Sequence, residues 1–526
     1  MKKLTALLLL FCLLLSCFSG CGSTEEEPYV PTGDAILLEG QDPEDLIVEE
    51  EPPPVTLTYN PDMSMNPLIG YSQSNRVLFS LMYQPLFTVN SKHEAEPILC
   101  SAFQVAPSNM IYTCYIESDA RLSDGSRVTA DDVVASYKYA LDHDYYRARF
   151  KYYLAEVKLS GDGTGVTFML NTPYENFPML LDVPIVKASD VEAEHPLGSG
   201  PYTFQGSGLN ATLNKLPNWW ADVKVPVRAQ AIHLVPAGTD AQVRDEFEFG
   251  DVSLVIANPM SDSYADFRCD YELWNVDSGI FLYLGCNVGW SKYFDDGYLR
   301  TKLTYAIDRE TIMNRYYNNH AQIATLATSP SSPHYNQTLA ANYGFDPLKF
   351  IDAMSGWNVP RDPADPNKKM VLLVNSDDSA RLRAARYIAA CLTEYGLPTG
   401  TLECSGQNYE AVLRANNWDI YLGQTRLPPN MDLSEFFRMW GEISPGGMVN
   451  ETLLEMCKET LENSGTTYDL LKKVADDGRI IPVLFGYHAV YAARGLFDNL
   501  DPTRDNVFYY SMGKTLIGIQ IDTVYE

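Results

Sequence analysis

Residues 370–423 constrain the fold most. Met370-Val371-Leu372-Leu373-Val374 is an uninterrupted apolar run, the pattern of a strand buried on both faces. Ser379 to Tyr395 then carries helical periodicity, Thr401-Leu402-Glu403-Cys404 is a second strand, and Asn417 to Gly423 enters a third. Strands alternating with helices predict an α/β lobe, with helices covering the faces of a sheet. The chain has 526 residues, which at ~150 residues per domain is material for two to four domains. No internal repeat marks a solenoid or propeller.

Elements outside that lobe are equally legible. Residues 55–60 alternate as a strand, Asn66-Pro67-Leu68 turns, and Arg76 to Met82 is helical. Residues 99–117 read as a hairpin about Ala106-Pro107-Ser108-Asn109. Thr129 is the expected N-cap of a helix reaching Leu141, because Asp132 stands three residues on, where its carboxylate can bond back to the cap. Val133, Val134, Tyr137 and Ala140 form the apolar stripe of that helix. Residues 279–287 predict a strand, and Asp295-Asp296-Gly297 is expected to cap a long helix from Tyr298 to about Asn314. Gly161 to Gly165 joins two strands. It is not a phosphate loop, since no helix and no Gly-Lys-Ser/Thr follow.

The N-terminus indicates the compartment. Lys2 and Lys3 precede an apolar run from Leu4 to Leu15, a basic and an apolar region of signal-peptide length. The run is shorter than the ~20 residues a membrane-spanning helix needs. It ends in Ser16-Cys17-Phe18-Ser19-Gly20-Cys21, and small residues directly before a Cys resemble the bacterial lipobox. Cys21 is the expected lipidation site, with Cys17 as the alternative. Residues 22–54 hold eleven Asp and Glu and no Lys or Arg, too acidic and Pro-rich to bury a core. They read as a tether.

The formal net charge is −29, from 68 acidic and 39 basic residues, and such a balance repels nucleic acid backbones. After Cys21 the cysteines are 100, 114, 269, 286, 391, 404 and 457. An exported chain can oxidise them; Cys100 with Cys114 and Cys391 with Cys404 are the pairs placed to bridge, buried thiols being the alternative. Motifs of catalysis are missing: no His-Glu-x-x-His, no Gly-x-Ser-x-Gly and no Cys-x-x-Cys occurs. The sequence therefore names no catalytic residue, no metal ligand and no cofactor.

The stretch from Tyr112-Thr113-Cys114-Tyr115-Ile116 through Leu122-Ser123-Asp124-Gly125 to Thr129-Ala130-Asp131-Asp132-Val133-Val134 and Tyr137 resembles the signature of family 5 extracellular solute-binding proteins. Asn66-Pro67-Leu68 with Tyr83-Gln84-Pro85-Leu86, Gly198-Ser199-Gly200-Pro201-Tyr202 with Trp219-Trp220, Tyr305-Ala306-Ile307-Asp308-Arg309, Phe345-Asp346-Pro347 and Ile481-Pro482-Val483 are similar to that family in its order. The resemblance implies a two-lobed α/β fold of the periplasmic-binding-protein type II kind, in its large peptide-binding variety, with an extra subdomain inserted in lobe I. The implied boundaries are a signal peptide at 1–20, a tether at 21–54, lobe I at 55–85, 195–282 and 490–526, the inserted subdomain at 86–194, and lobe II at 283–489. The implied role is capture of a small solute, a peptide first, for the permease subunits of an ABC transporter. The chain would be a monomer on the extracytoplasmic face of a bacterial membrane, held by its lipid. A nickel chelate, an opine-like or phosphorylated cargo, and a sensory receptor without transport are the alternatives.

In the family's peptide binders an Asp after a second-lobe strand pairs with the peptide's ammonium. Here that position is Leu427, beside Arg426, in Gly423-Gln424-Thr425-Arg426-Leu427. Gln424, Thr425 and Arg426 are thus candidate ligand contacts, Arg426 as a clamp for a carboxylate or phosphate. Tyr71 and Gln73, after the Asn-Pro-Leu turn, and Tyr487, after Ile-Pro-Val, complete the expected site, with His488 next to Tyr487.

Overall fold

The computed structural model describes residues 54–69, 72–224, 227, 229–259, 267–295, 297–358, 368–439, 441, 443, 445–498, 500–508 and 515–516. They all belong to the compact unit Pro52–Glu526. The signal peptide, Cys17, Cys21, nearly all of the tether, and Tyr71 lie outside the described residues.

The first strand, β1 (Thr56–Tyr59), leads to helix α1 (Gln73–Met82), capped by Ser72, whose side chain accepts from the Asn75 amide. Strands β2 (Cys100–Val105), β3 (Ile111–Ile116), β4 (Leu154–Leu159) and β5 (Gly165–Leu170) then form a separate antiparallel sheet in the order β2-β3-β5-β4. Helix α2 (Ala130–Leu141) packs on it, and Thr129 and Asp132 close the capping box that the spacing predicts. Helix α3 (Asp144–Phe150) follows.

The main sheet takes its strands from both ends of the chain. Strands β6 (Tyr202–Gln205), β7 (Thr212–Lys215), β8 (Ala231–Pro236) and β9 (Leu254–Ala257) lie beside β1. Strand β10 (Tyr271–Cys286) runs into the second half, which holds β11 (Ala321–Ile323), β12 (Met370–Asn375), β13 (Thr399–Cys404) and β14 (Ile420–Arg426). Strand β15 (Ile480–Ala493) returns to the first half. The order is β6-β7-β8-β1-β9-β15-β10-β14-β12-β13, with β11 on β15. Strands β12, β13 and β14 pair in parallel, linked by helices α5 (Ser379–Glu394) and α6 (Gly406–Ala415). That is the strand–helix alternation expected from residues 370–423.

One expectation is corrected. Residues 298–314 do not make one long helix: a 3-10 turn at Leu303–Ala306 precedes helix α4 (Arg309–Tyr316). The cap is Asp308, whose carboxylate accepts from the Thr311 amide and thereby starts a new helix. The buried Arg309 side chain bonds the carbonyls of Thr304, Ala324 and Pro482 across the break.

The second half of the sheet is buried on both faces. Leu282, Leu284, Leu372, Val374, Ile420 and Leu422 face one apolar cluster, while Phe281, Tyr283, Leu373 and Tyr421 face another, as the two-residue period of a strand requires. The first half and the β2–β5 subdomain share one continuous core, in which Leu57, Leu78, Tyr137 and Phe168 are buried together. The seven described cysteines are all free thiols, Cys100 lying beside Cys114. Among the described residues no helix is long and apolar enough to cross a membrane.

Candidate functional site

Among the described residues only β10 and β15 run through both halves of the main sheet. They pair from Tyr271↔Ala493 to Asp277↔Tyr487 and resume at Ile280↔Gly486, so Ser278 and Gly279 bulge out of the ladder. On one side of the bulge β15 pairs with β9, and on the other β10 pairs with β14. Ser278 Oγ holds the bulge by donating to the Gly486 carbonyl at 2.6 Å. Gly279 has φ +70°, and a Cβ there would stand 2.4 Å from Arg504 Nη1. An L side chain is disfavoured twice, by the backbone conformation and by the guanidinium it would have to displace.

Arg504 belongs to a short turn after β15, in which the backbones of Thr503 and Asn506 bond each other. This turn inserts between α1 and the end of β14. A cavity of about 290 Å3 opens there, bounded by Gln73, Arg76, Arg426, His488, Arg504 and Asp505. Asp505 Oδ1 accepts from Arg76 Nη2 and from Arg426 Nη2, each at 3.0 Å. Arg426 Nε also donates to the Ser278 carbonyl at 2.9 Å. Farther in, Arg149 of α3 pairs with Asp182 at 2.7 Å, and a small cavity of about 90 Å3 touches Arg76, Arg149, Asp182 and Asp505 together.

Charge dominates this place. Burial raises the Asp505 carboxyl, but the guanidiniums of Arg426, Arg504, Arg76 and Arg149 outweigh it and hold the group far below the usual carboxylate range. Burial and then the Arg426 cation push Arg504 down to about 10. Partial burial and the same cation lower His488 to about 4, so its ring is neutral at pH 7.

A larger cavity of about 460 Å3 lies between the β2–β5 subdomain and residues 429–471. Its wall mixes aromatics such as Phe87 and Tyr174 with Glu94, Glu175, His334 and Asp432. Contacts cross the cleft beside it. The Tyr153 hydroxyl donates to Asp432, the Glu175 amide donates to the Leu461 carbonyl at 2.7 Å, and the Ser464 amide donates to Glu175 Oε2 at 2.9 Å. Arg438 lies over the Tyr152 ring at 3.9 Å. His93, at φ +61°, reaches Asp277 with 3.4 Å between Nε2 and Oδ2. Helix α7 (Ser434–Phe437), helix α8 (Glu451–Glu462) and helix α9 (Thr467–Asp477) carry the far wall.

The residues singled out from sequence separate here. Gln73 and Arg426, with His488, meet at the smaller cavity. Gln424 is exposed opposite Leu282, and Thr425 pairs with Phe281. Tyr487 is half-buried, its amide donating to the His320 carbonyl and its hydroxyl meeting Gln322. Leu427 is buried, and its amide donates to the Gly279 carbonyl at 2.9 Å. Sequence reasoning missed Arg76, Arg149, Arg504 and Asp505. Arg504 and Asp505 sit in Pro-Thr-Arg-Asp-Asn, a surface-turn composition with no local sign that both side chains face a cleft.

Residues 94–446 match the family described as bacterial extracellular solute-binding proteins, family 5 Middle. The chain belongs to this family. It is 22% identical over 384 residues to the oligopeptide-binding protein AppA of Bacillus subtilis, covering 68% of this chain and 69% of AppA. It is also 22% identical over 319 residues to the nickel-binding periplasmic protein of Escherichia coli, covering 56% of this chain and 59% of that protein. In structure this family 5 chain is similar to HbpA2 from Haemophilus parasuis, with TM-score 0.71 and 16% identity, covering 87% of this chain and 98% of HbpA2. The family is one of solute-binding proteins that act outside the cytoplasm. Its two-lobed fold gives the β10–β15 bulge its meaning, since both cavities lie where the lobes face each other.

Proposed function

We propose that this protein captures a small solute, a peptide in the first place, between its lobes and hands it to the permease subunits of an ABC transporter. The observation that carries this reading is the pair of cavities walled by residues from both halves of the molecule, together with a two-strand connection whose ladder is interrupted at Ser278 and Gly279. Two strands whose ladder breaks at Ser278 and Gly279 are a hinge, and closing about it removes a bound solute from water. Lobe I is taken as 55–85, 195–282 and 490–526, the inserted subdomain as 86–194, and lobe II as 283–489. The protein acts as a monomer tethered by a lipid on Cys21. Gln73 and Arg426 line the end of the cleft nearest the hinge, and Tyr71, outside the described residues, is assigned to the site from sequence alone. Gln424, Thr425 and Tyr487 flank it.

Native mass spectrometry of the full chain, followed by release and sequencing of whatever stays bound, tests the reading. A population of short peptides supports it. A single non-peptide species replaces the peptide with another cargo and keeps the carrier. The guanidinium groups around Asp505 favour an anionic compound as that second cargo.

A further inference from the structure

Arg504 is the least satisfied cation of the cleft. Its side chain is 11% exposed, and among the described residues its Nε and Nη1 have no hydrogen-bond partner. The nearest carboxylate oxygen to Nε is Asp505 Oδ2, at 3.4 Å. Asp505 spends its other oxygen on Arg76 and Arg426, and Asp182 is paired with Arg149. Asp277, across Gly279, accepts from Ser329 and faces His93. Of the four guanidiniums, those of Arg76 and Arg426 bond Asp505 and that of Arg149 bonds Asp182, while Arg504, against Gly279, has only the 3.4 Å approach of Asp505 Oδ2.

A buried charged donor without an acceptor costs more than a neutral one, because its hydration has been lost and nothing replaces it. In an open cleft water supplies the acceptor. Arg504 stands against Gly279 and Asp505, and closing the empty cleft would leave its remaining donors without water or an acceptor. A ligand shifts a closing equilibrium only by interacting better with the closed form, and an anion brought to Arg504 does that directly. The cage is built for carboxylate geometry, since Asp505 already takes two guanidinium donors on one carboxylate oxygen at 3.0 Å. About 290 Å3 of space adjoins it.

We propose that the cargo presents a carboxylate to Arg504 at the hinge, and that this anion is what makes the closed form favourable. The inference rests on the reading of the protein as a solute carrier and names the group by which it recognises its solute. Asp505 stays in place as the partner of Arg76 and Arg426, and the incoming carboxylate serves Arg504.

The test offers the full chain an equimolar library of tripeptides in three forms: free acids, N-acetylated acids and C-terminal amides. Retention is read by native mass spectrometry. The free acids and the N-acetylated acids are expected to be held alike and the amides at least about tenfold more weakly. Arg504→Gln is expected to remove that preference and Arg504→Lys to keep part of it, each variant first being shown to unfold cooperatively. The comparison of the three forms on the unaltered protein decides even where a variant does not fold. Equal retention of acids and amides, or a requirement for the free amino group, overturns the anion site and leaves solute capture standing. Retention of none of the three forms overturns it together with the peptide reading.

Discussion

The larger cavity, about 460 Å3, and the smaller one, about 290 Å3, are walled by different chemistry. The larger is lined by aromatic and mixed polar side chains, and its carboxylates already have neutral donors: Asp432 takes the Tyr153 hydroxyl and Glu175 the Ser464 amide. The smaller gathers like charges around Asp505 and leaves Arg504 short of acceptors. The first arrangement tolerates variation in what fills it, because apolar and neutral groups lose little when a contact changes. The second discriminates, because an uncompensated charge in a half-dry site is expensive.

Removing Asp505 should give the largest effect. Asp505→Ala leaves Arg76 and Arg426 facing each other without a counter-ion, and a loss of about 3 kcal/mol is expected, the lower end for one partner of a buried pair. Thermal unfolding measures it, and a loss below about 1 kcal/mol would show that water, not Asp505, balances the cage. The pH dependence has a definite sign. The folded carboxyl is held far below its unfolded value near 3.9, so its contribution is complete above about pH 4 and fades as pH falls further. The stability gap between the natural protein and Asp505→Asn should therefore narrow below about pH 4.

Gly279→Ala comes next. It forces an L residue to φ +70° and pushes a methyl group against the Arg504 guanidinium. A cost of about 2 kcal/mol is expected, together with weaker retention of acid-bearing ligands. Unchanged unfolding would mean that the Arg504 side chain moves off the hinge freely.

His488 separates the two cavities by pH. Its folded value of about 4 lies below the unfolded value near 6.5. The unfolded chain thus binds more protons between about pH 4 and 6.5, and stability falls as pH drops through that window. His488→Gln should flatten this slope in unfolding curves recorded from pH 7 to 4. An unchanged slope would place the titrating group elsewhere.

The smallest effect belongs to the larger cavity. Tyr153→Phe removes the hydroxyl that donates to Asp432 and should cost about 1 kcal/mol. It should not alter the preference for acids over amides in the library experiment. A change in that preference would join the two cavities into one recognition site.

Local pattern explains which parts were legible. The capping box at Thr129 and Asp132, the apolar run 370–374 and the helix 379–394 are short-range features, and each stands where its sequence places it. The long helix expected after Asp295 failed because Asp308 makes a better cap than the chain before it makes a helix. Strand β10 begins at Tyr271, well before the strand read from Gly279, because its first part is held by long-range pairing with β15 and alternates too weakly to read alone. At the candidate site Arg426 and Gln73 were reached through a motif and a turn. Arg149 and Arg504 were not, since each is an ordinary Arg in its own segment, and only the folded chain brings Arg149 to Asp182 and Arg504 to Gly279.

By itself the sequence determined the family, the α/β alternation and the absence of familiar catalytic motifs, because these reside in periodicity, capping and ordered motifs along the chain. Only the tertiary structure decided that Arg76, Arg426 and Arg504 gather around Asp505 beside Gly279, with Arg149 and Asp182 behind them. That grouping joins α1, α3, β14 and the turn after β15. Electrostatic energy depends on distance in space, and nothing in the spacing of these residues along the chain encodes that distance.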